Sequence, residues 1–142
     1  MEKVLKEKLW AYMVHYNPDL LFSLLEEAEL SAYLDKKVGG ISSLIEKLNQ
    51  EEKPGYLIEE ACLAELTAEL KPSRYRFILD VLEEEFPADY GRMEQAGTLT
   101  YEVLNIIEAC KDTLDVLEFN EKNMGERHIR YAVIAEVHGY LN

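Results

Sequence analysis

The sequence predicts an all-α fold, a compact single-domain bundle of about seven or eight mostly antiparallel helices that spans residues 1–142. Three observations favour this class. Apolar residues return at helical spacing in one segment after another, and all four prolines stand where a helix begins. No stretch alternates apolar and polar residues long enough to form a strand, and no Asn-Gly or Asp-Gly hairpin turn occurs.

The prolines divide the chain near residues 17, 53, 71 and 86, because proline suits the first turn of a helix and discourages helix in the residue before it. The first helix is predicted before Asn17, with Leu5, Leu9 and Met13 on one face. Asn17 is the expected N-cap of the next helix, which Pro18 starts.

The segment after Pro18 predicts a helix, a break around Ala28–Ser31, and further helix that Gly39 and Gly40 interrupt or bend. Residues 54–70 predict another helix. Its apolar stripe is Ile58, Cys62, Leu66 and Leu70.

Residues 73–86 predict a well-defined amphipathic helix with Ser73 as its N-cap. Its apolar stripe is Tyr75, Ile78, Leu79, Leu82 and Phe86. A short helix follows and is expected to stop at Gly97. The longest helix comes next, with Thr98 or Thr100 as its cap. The last helix is expected to begin at "NMGE", where Asn123 and Glu126 have the spacing of a capping box.

Internal repetition is weak at the sequence level. "KPGYLIEE" and "KPSRYRFI" both place Lys-Pro before an aromatic residue, but they lie only 18 residues apart. This spacing is shorter than that of the usual two-helix repeats. We therefore interpret the two stretches as helix starts that resemble each other.

The net charge of −13 is concentrated in the middle of the chain, where residues 54–121 carry 5 basic and 16 acidic side chains. Binding to a phosphate backbone needs clustered Lys and Arg, and anionic lipid attracts the same residues. We therefore expect no direct nucleic-acid binding and no membrane association. No apolar run reaches the ~18 residues of a membrane span, and the charged N-terminus does not resemble a signal peptide. A cytoplasmic protein is expected.

The sequence shows no catalytic, cofactor or metal motif. Cys62 and Cys110 belong to no C-x-x-C pair, and we expect both to be buried, reduced thiols. The three histidines lack the spacing of metal ligands, and no glycine-rich phosphate loop or nucleophile elbow occurs. We therefore assign no catalytic residue, no cofactor and no metal ligand.

Arg74 and Arg76 are the first candidate binding residues, because they follow Ser73 in the first turn of a helix. The helix dipole favours anions at this position, so the two cations are placed against it. One explanation is that they bind an anion or a partner together with free backbone N–H groups. The other explanation is that Asp80 and Glu69 neutralise the two arginines locally. Because surface ion pairs are common, this second arrangement is the more frequent one.

The stretch "ERHIRY" is the second candidate, because it lies in the one segment with net positive charge. Arg127, Arg130 and Tyr131 are residue types that are enriched at interfaces. An ordinary capped amphipathic helix explains the same pattern equally well.

Three stretches, "WAYMVHYNPDLL", "KPSRYRFILDVLEEEFP" and "GTLTYEVLNIIEAC", carry a family resemblance over nearly the whole chain. The chain resembles the domain-of-unknown-function family eighteen-ninety-six, which comprises short helical proteins of Bacteroides-type anaerobes, often encoded with conjugative elements. The resemblance implies an all-helical fold, a bacterial cytoplasm and a link to mobile DNA. It brings no catalytic residue with it.

These observations favour a non-enzymatic accessory protein that binds an unidentified protein partner. One alternative is an acidic nucleic-acid mimic that occupies the DNA groove of a DNA-handling protein. Another is an enzyme with an unrecognised site, which would need a pocket that contains shifted titratable groups. The tyrosines and the several apolar helix faces are also compatible with a homodimer.

Overall fold

The computed structural model describes residues 1–142 and contains nine α-helices, one 3₁₀ turn and no β-strand. The all-α prediction is confirmed. The helix count exceeds the expected seven or eight because the chain turns at Gly40 and Ile41 between two separate helices. The chain forms two compact units, Met1–Lys71 and Pro72–Asn142, called unit 1 and unit 2 below. The assignment of residues 1–142 to a single domain stays a prediction.

Unit 1 contains five helices and ends in the 3₁₀ turn Ala68–Leu70. The helices are α1 (Glu2–Tyr16), α2 (Pro18–Glu26), α3 (Leu30–Gly39), α4 (Ser42–Gln50) and α5 (Gly55–Thr67). Helix α1 packs against α2, α3 and α5, and α4 packs against α5. The core of unit 1 is built around Leu5, Leu9, Met13, Val38 and Cys62, which are fully buried.

Unit 2 contains four helices, namely α6 (Arg74–Glu85), α7 (Pro87–Ala96), α8 (Leu99–Val116) and α9 (Arg127–Leu141). Helix α6 packs against the other three, and α8 also packs against α7 and α9. The core residues that are fully buried include Ile78, Leu82, Val103, Ile106, Cys110, Leu114, Ile129 and Val133.

The connections of the two units follow the same plan. Asn17 links α1 to α2 with φ −136° and ψ 50°, and Phe86 links α6 to α7 with φ −133° and ψ 55°. A proline starts the following helix in both cases. Eleven residues further on, Ala28 (φ 56°) and Gly97 (φ 72°) each turn the chain in the left-handed region. Both helix ends are closed by a hydrogen bond back across the turn, from Glu29 N to Leu24 O (2.8 Å) and from Thr98 N to Met93 O (3.0 Å).

The buried positions also repeat. A shift of 69 residues places about half of the buried residues between α1 and the start of α4 on buried residues of α6 to α8. A shift of 71 residues does the same for three buried residues of α5 and α9. The pairs buried in both units are Leu9/Ile78, Met13/Leu82, Leu24/Met93, Val38/Ile107, Ile41/Cys110, Ile58/Ile129, Cys62/Val133 and Leu66/Val137. The two units are therefore two versions of one plan, in which α3 and α4 together correspond to α8. This repeat was not predicted from the sequence.

Two predicted caps are confirmed and three are corrected. The Ser73 hydroxyl accepts a hydrogen bond from Arg76 N (3.0 Å), and Gly97 ends α7. Asn17 stands at the N-cap position of α2 but does not cap it with its side chain, since its Oδ1 accepts no hydrogen bond and its Nδ2 donates to Leu70 O (3.2 Å). Asn123 does not start a capping box either.

Asn123 instead holds the connection formed by residues 117–126, and α9 begins at Arg127. Its Oδ1 accepts from Asn120 N (2.8 Å), and its Nδ2 donates to Leu117 O and Glu118 O. Thr98 stands at the N-cap position of α8, but its hydroxyl donates back to Met93 O rather than capping the helix.

Candidate functional site

The first group of candidate residues is engaged in local structure. Ser73 caps α6, and Nε of Arg76 lies 3.3 Å from Oδ1 of Asp80, one turn along the same helix. Nη2 of Arg74 donates to Oδ1 of Asp115 on α8 (2.6 Å). Glu69, the other expected neighbour, pairs with Lys37. The geometry favours charge neutralisation as the explanation for both arginines.

The second group is divided between two faces of α9. Nη2 of Arg130 donates to Glu84 Oε2 (2.7 Å) and Glu85 Oε1 (3.1 Å), and these contacts tie α9 to α6. Arg127 and Tyr131 lie one turn apart and are exposed, and 62% of the Tyr131 surface is accessible. Arg127 makes no ion pair. These two residues remain available to a partner, whereas Arg130 is committed to its carboxylates.

A groove of about 460 Å³ runs between α1 and α5 of unit 1, and we call it the α1–α5 groove. It is lined by Lys8, Ala11, Tyr12, His15, Leu63, Ala64, Thr67 and Lys71. Lys8 forms an ion pair with Glu59, and the Thr67 hydroxyl donates to Leu63 O (2.8 Å). His15 and Lys71 have no such partner.

A polar cavity of about 290 Å³ lies in unit 2 beside α7, α8 and α9. In it, the Tyr140 hydroxyl donates to Oε2 of Glu102 (2.5 Å). Burial, followed by the contact with Glu102, raises the pKa of Tyr140. Tyr140 therefore stays protonated near neutral pH and acts as a hydrogen-bond donor. The nearby Arg92 is paired with Asp89 on the same helix.

A third cavity, of about 380 Å³, lies beside α3 and α5. Its charged residues include Lys37 and Glu69, which form an ion pair with each other. No group of three or more His, Cys, Asp or Glu side chains is arranged to hold a metal ion. Both cysteines are free and buried, as predicted. No helix has the length and apolar character needed to cross a membrane.

Sequence reasoning missed a set of exposed apolar side chains on α1 and α2 of unit 1. Trp10 and Val14 lie one turn apart on α1, and Phe22 and Leu25 lie one turn apart on α2. These four side chains, called the α1–α2 apolar face, are 37–52% exposed. The sequence does carry the signal, because Trp10 and Val14 lie outside the stripe formed by the buried residues of α1.

No protein-family model, curated protein or solved structure matches the chain. The resemblance to the domain-of-unknown-function family eighteen-ninety-six stays a hypothesis. The geometry of the chain itself is therefore the basis for any assignment of function.

Proposed function

We propose that this protein is a non-enzymatic binding module that holds another protein on the α1–α2 apolar face. The observation that carries the proposal is the exposure of four large apolar side chains on two consecutive helices that pack together. Exposed apolar patches on soluble proteins are typical of interaction sites, and aromatic residues often dominate interface energetics. Trp10 and Phe22 are the expected anchors.

The repeat supplies an internal comparison for this face. The positions that correspond to Val14, Phe22 and Leu25 are occupied in unit 2 by Glu83, Gly91 and Glu94. Helices α6 and α7 form and pack without apolar side chains there. The apolar residues at positions 14, 22 and 25 are therefore not a requirement of the helical plan, which supports a role in binding for these three. Trp10 corresponds to Leu79, which packs against the core of unit 2.

The charge around the face indicates the chemistry of the partner. Residues 17–34 contain four acidic residues and no Lys or Arg, and the acids are Asp19, Glu26, Glu27 and Glu29. An apolar surface with acidic residues along its α2 side complements an amphipathic helix with basic residues along one side. We therefore assign the face to a basic amphipathic segment of a partner protein. The family resemblance adds the proposal that this partner belongs to a mobile element.

The test uses Trp10, which is the single tryptophan of the chain and lies within the face. A synthetic helix of Leu and Lys, about 15 residues long, should shift the Trp10 emission to shorter wavelength when it covers the ring. A Leu/Glu peptide of the same pattern should not. In the variant Phe22→Glu/Leu25→Glu, the affinity for the Leu/Lys peptide should fall by about tenfold or more.

Two further variants act as controls. Glu83→Gln/Glu94→Gln changes the corresponding positions of unit 2 and should leave the affinity unchanged. Arg127→Glu/Tyr131→Glu changes the exposed part of the second sequence-predicted site. If only this last variant weakens binding, or if the Leu/Lys peptide leaves the emission unchanged, the α1–α2 apolar face is not the binding site.

A further inference from the structure

We propose that the α1–α5 groove is a second binding site, which takes a small organic anion with an acidic head and an apolar body. The groove lies on the other side of α1 from the apolar face, since His15 and Lys8 point 140–160° away from Trp10 at ~100° per residue. This inference does not depend on the proposed function.

The two ends of the groove differ in charge balance. At one end Lys8 is neutralised by Glu59. The other end lies beside the hydrogen bond from Asn17 Nδ2 to Leu70 O (3.2 Å). This bond connects the end of α1 to the end of the 3₁₀ turn. His15 and Lys71 lie within two residues of this bond, and neither is paired with a carboxylate. The groove therefore has one end that attracts an anion.

The surface between the ends is largely apolar. Ala11, Leu63 and Ala64 line it, together with the ring of Tyr12. Ligand sites commonly combine an apolar lining with a few placed polar groups and occupy about 300–1,000 Å³, and the groove, at about 460 Å³, falls in this range. A ligand with a single acidic head and a short apolar chain matches both features.

The repeat shows that the helical plan does not require the groove. The positions of Lys8 and Tyr12 correspond to Phe77 and Val81 in unit 2, which are buried at 7% and 0% exposure. The Phe77 ring packs against Phe119, with 5.0 Å between the centroids. At these two positions, unit 2 has buried apolar side chains, whereas the side chains of unit 1 line an open groove.

The connection before the last helix accounts for part of this difference. Phe119 belongs to the ten residues 117–126, whereas unit 1 has only the four residues 51–54 at the corresponding place. The charge at this end of the groove also has no counterpart in unit 2, because Lys71 corresponds to Asn142 and His15 corresponds to Glu84. Unit 1 therefore combines an uncovered groove with positive charge inside an acidic protein.

The experiment measures binding of octanoate to the full chain by ¹H–¹⁵N NMR titration. Octanoate should shift the amide signals of α1 and α5. Octan-1-ol, which lacks the acidic head, and inorganic phosphate, which lacks the apolar chain, should both bind more weakly. Lys71→Gln should lower the octanoate affinity by about fivefold, because a charge-assisted hydrogen bond is lost. Lys111→Gln, at an exposed lysine of unit 2, should have no effect.

A second variant fills the groove without changing its charge. Ala64→Phe replaces an exposed alanine of α5 and should abolish the amide shifts while the rest of the spectrum stays folded. The proposal is overturned if octanoate causes no shifts in α1 and α5, or if Lys71→Gln and Ala64→Phe both bind it like the wild type. The Leu/Lys peptide test is unaffected by either result, so the two proposals fail separately.

Discussion

Arg74, Arg76 and Arg130 show how single residues are placed in this acidic chain. Each guanidinium lies within 3.3 Å of a carboxylate oxygen, and two of the three pairs connect different helices. Surface pairs of this kind contribute up to about 1 kcal/mol each. Their main effect is to remove three of the five arginines from the set available to a partner.

The two buried thiols lead to a prediction about chemical reactivity. Burial raises the pKa of the Cys110 thiol to about 11, with a further contribution from Glu136, and burial also raises the pKa of Cys62. Since the thiolate is the reactive form, only about 0.1% of Cys110 is reactive at pH 8. We expect an aromatic disulfide reagent to react at least ~100-fold more slowly with the native protein than with the protein in guanidinium.

The same pKa shift fixes the sign of the pH dependence of stability. The folded state holds the Cys110 proton more tightly than the unfolded state, whose pKa is about 8.5. The stabilisation is complete below that value and is lost as the pH rises toward 11. The melting temperature should therefore fall over this interval, and less so in Cys110→Val. In the reagent experiment, a native protein whose thiols react within tenfold of the rate in guanidinium would contradict the burial of Cys62 and Cys110.

At the scale of elements, the left-handed helix ends at Ala28 and Gly97 are the most informative, because they occupy corresponding positions in the two units. Ala28 ends α2 with φ 56°, and Gly97 ends α7 with φ 72°. A left-handed conformation costs a residue with a Cβ about 1–2 kcal/mol, and glycine is exempt. The same turn therefore carries backbone strain at Ala28 and none at Gly97.

This difference predicts opposite effects of two reciprocal substitutions. Ala28→Gly should stabilise the protein by about 0.5–1 kcal/mol, and Gly97→Ala should destabilise it by about 1 kcal/mol. A Cβ at Gly97 would meet no atom within 4 Å, so the cost there is confined to the backbone. Urea unfolding measures both values, and the slope of each transition should match the wild type. Effects of the same sign in both variants would contradict the explanation.

Most elements could be predicted from the sequence, because apolar spacing, prolines and the glycine at position 97 act locally. The asparagines could not be predicted in the same way. Their side chains bond to whichever backbone group the fold brings near, which is Leu70 O for Asn17 and the turn at Asn120 for Asn123. The break at Gly40 and Ile41 was foreseen only as an interruption or a bend.

At the scale of the whole molecule, the chain has two hydrophobic cores, and each core contains residues of one unit only. Leu9 and Ile78 occupy corresponding positions and are fully buried. Leu9→Ala and Ile78→Ala should each cost about 2–5 kcal/mol. In hydrogen exchange, we expect protection to fall most in the unit that carries the substitution.

The gentler variant Ile78→Val, which should cost about 0.5–1.5 kcal/mol, serves if the alanine variant does not stay folded. Uniform loss of protection over residues 1–142 in both single variants would show that the cores do not open separately.

The repeat and the two proposed sites were beyond sequence reasoning for a physical reason. Few corresponding positions keep the same residue, as Pro18/Pro87, Leu30/Leu99 and Ile58/Ile129 do. Most of the pairs that are buried in both units keep only apolar character. Core packing tolerates such exchanges when volume and pattern are kept. For the apolar face the sequence shows only that Trp10 and Val14 lie outside the buried stripe of α1. Which side chains the neighbouring helices leave uncovered, there and in the groove, becomes visible only in three dimensions.

The matching joints at Asn17 and Phe86 have a consequence for the history of the chain. A gene segment for some seventy residues, copied in tandem, would yield two halves with the same joints, the same left-handed turns and the same buried pattern. After such a duplication, one half could fill the space beside its first helix with Phe77 and Phe119 while the other half kept an open groove there.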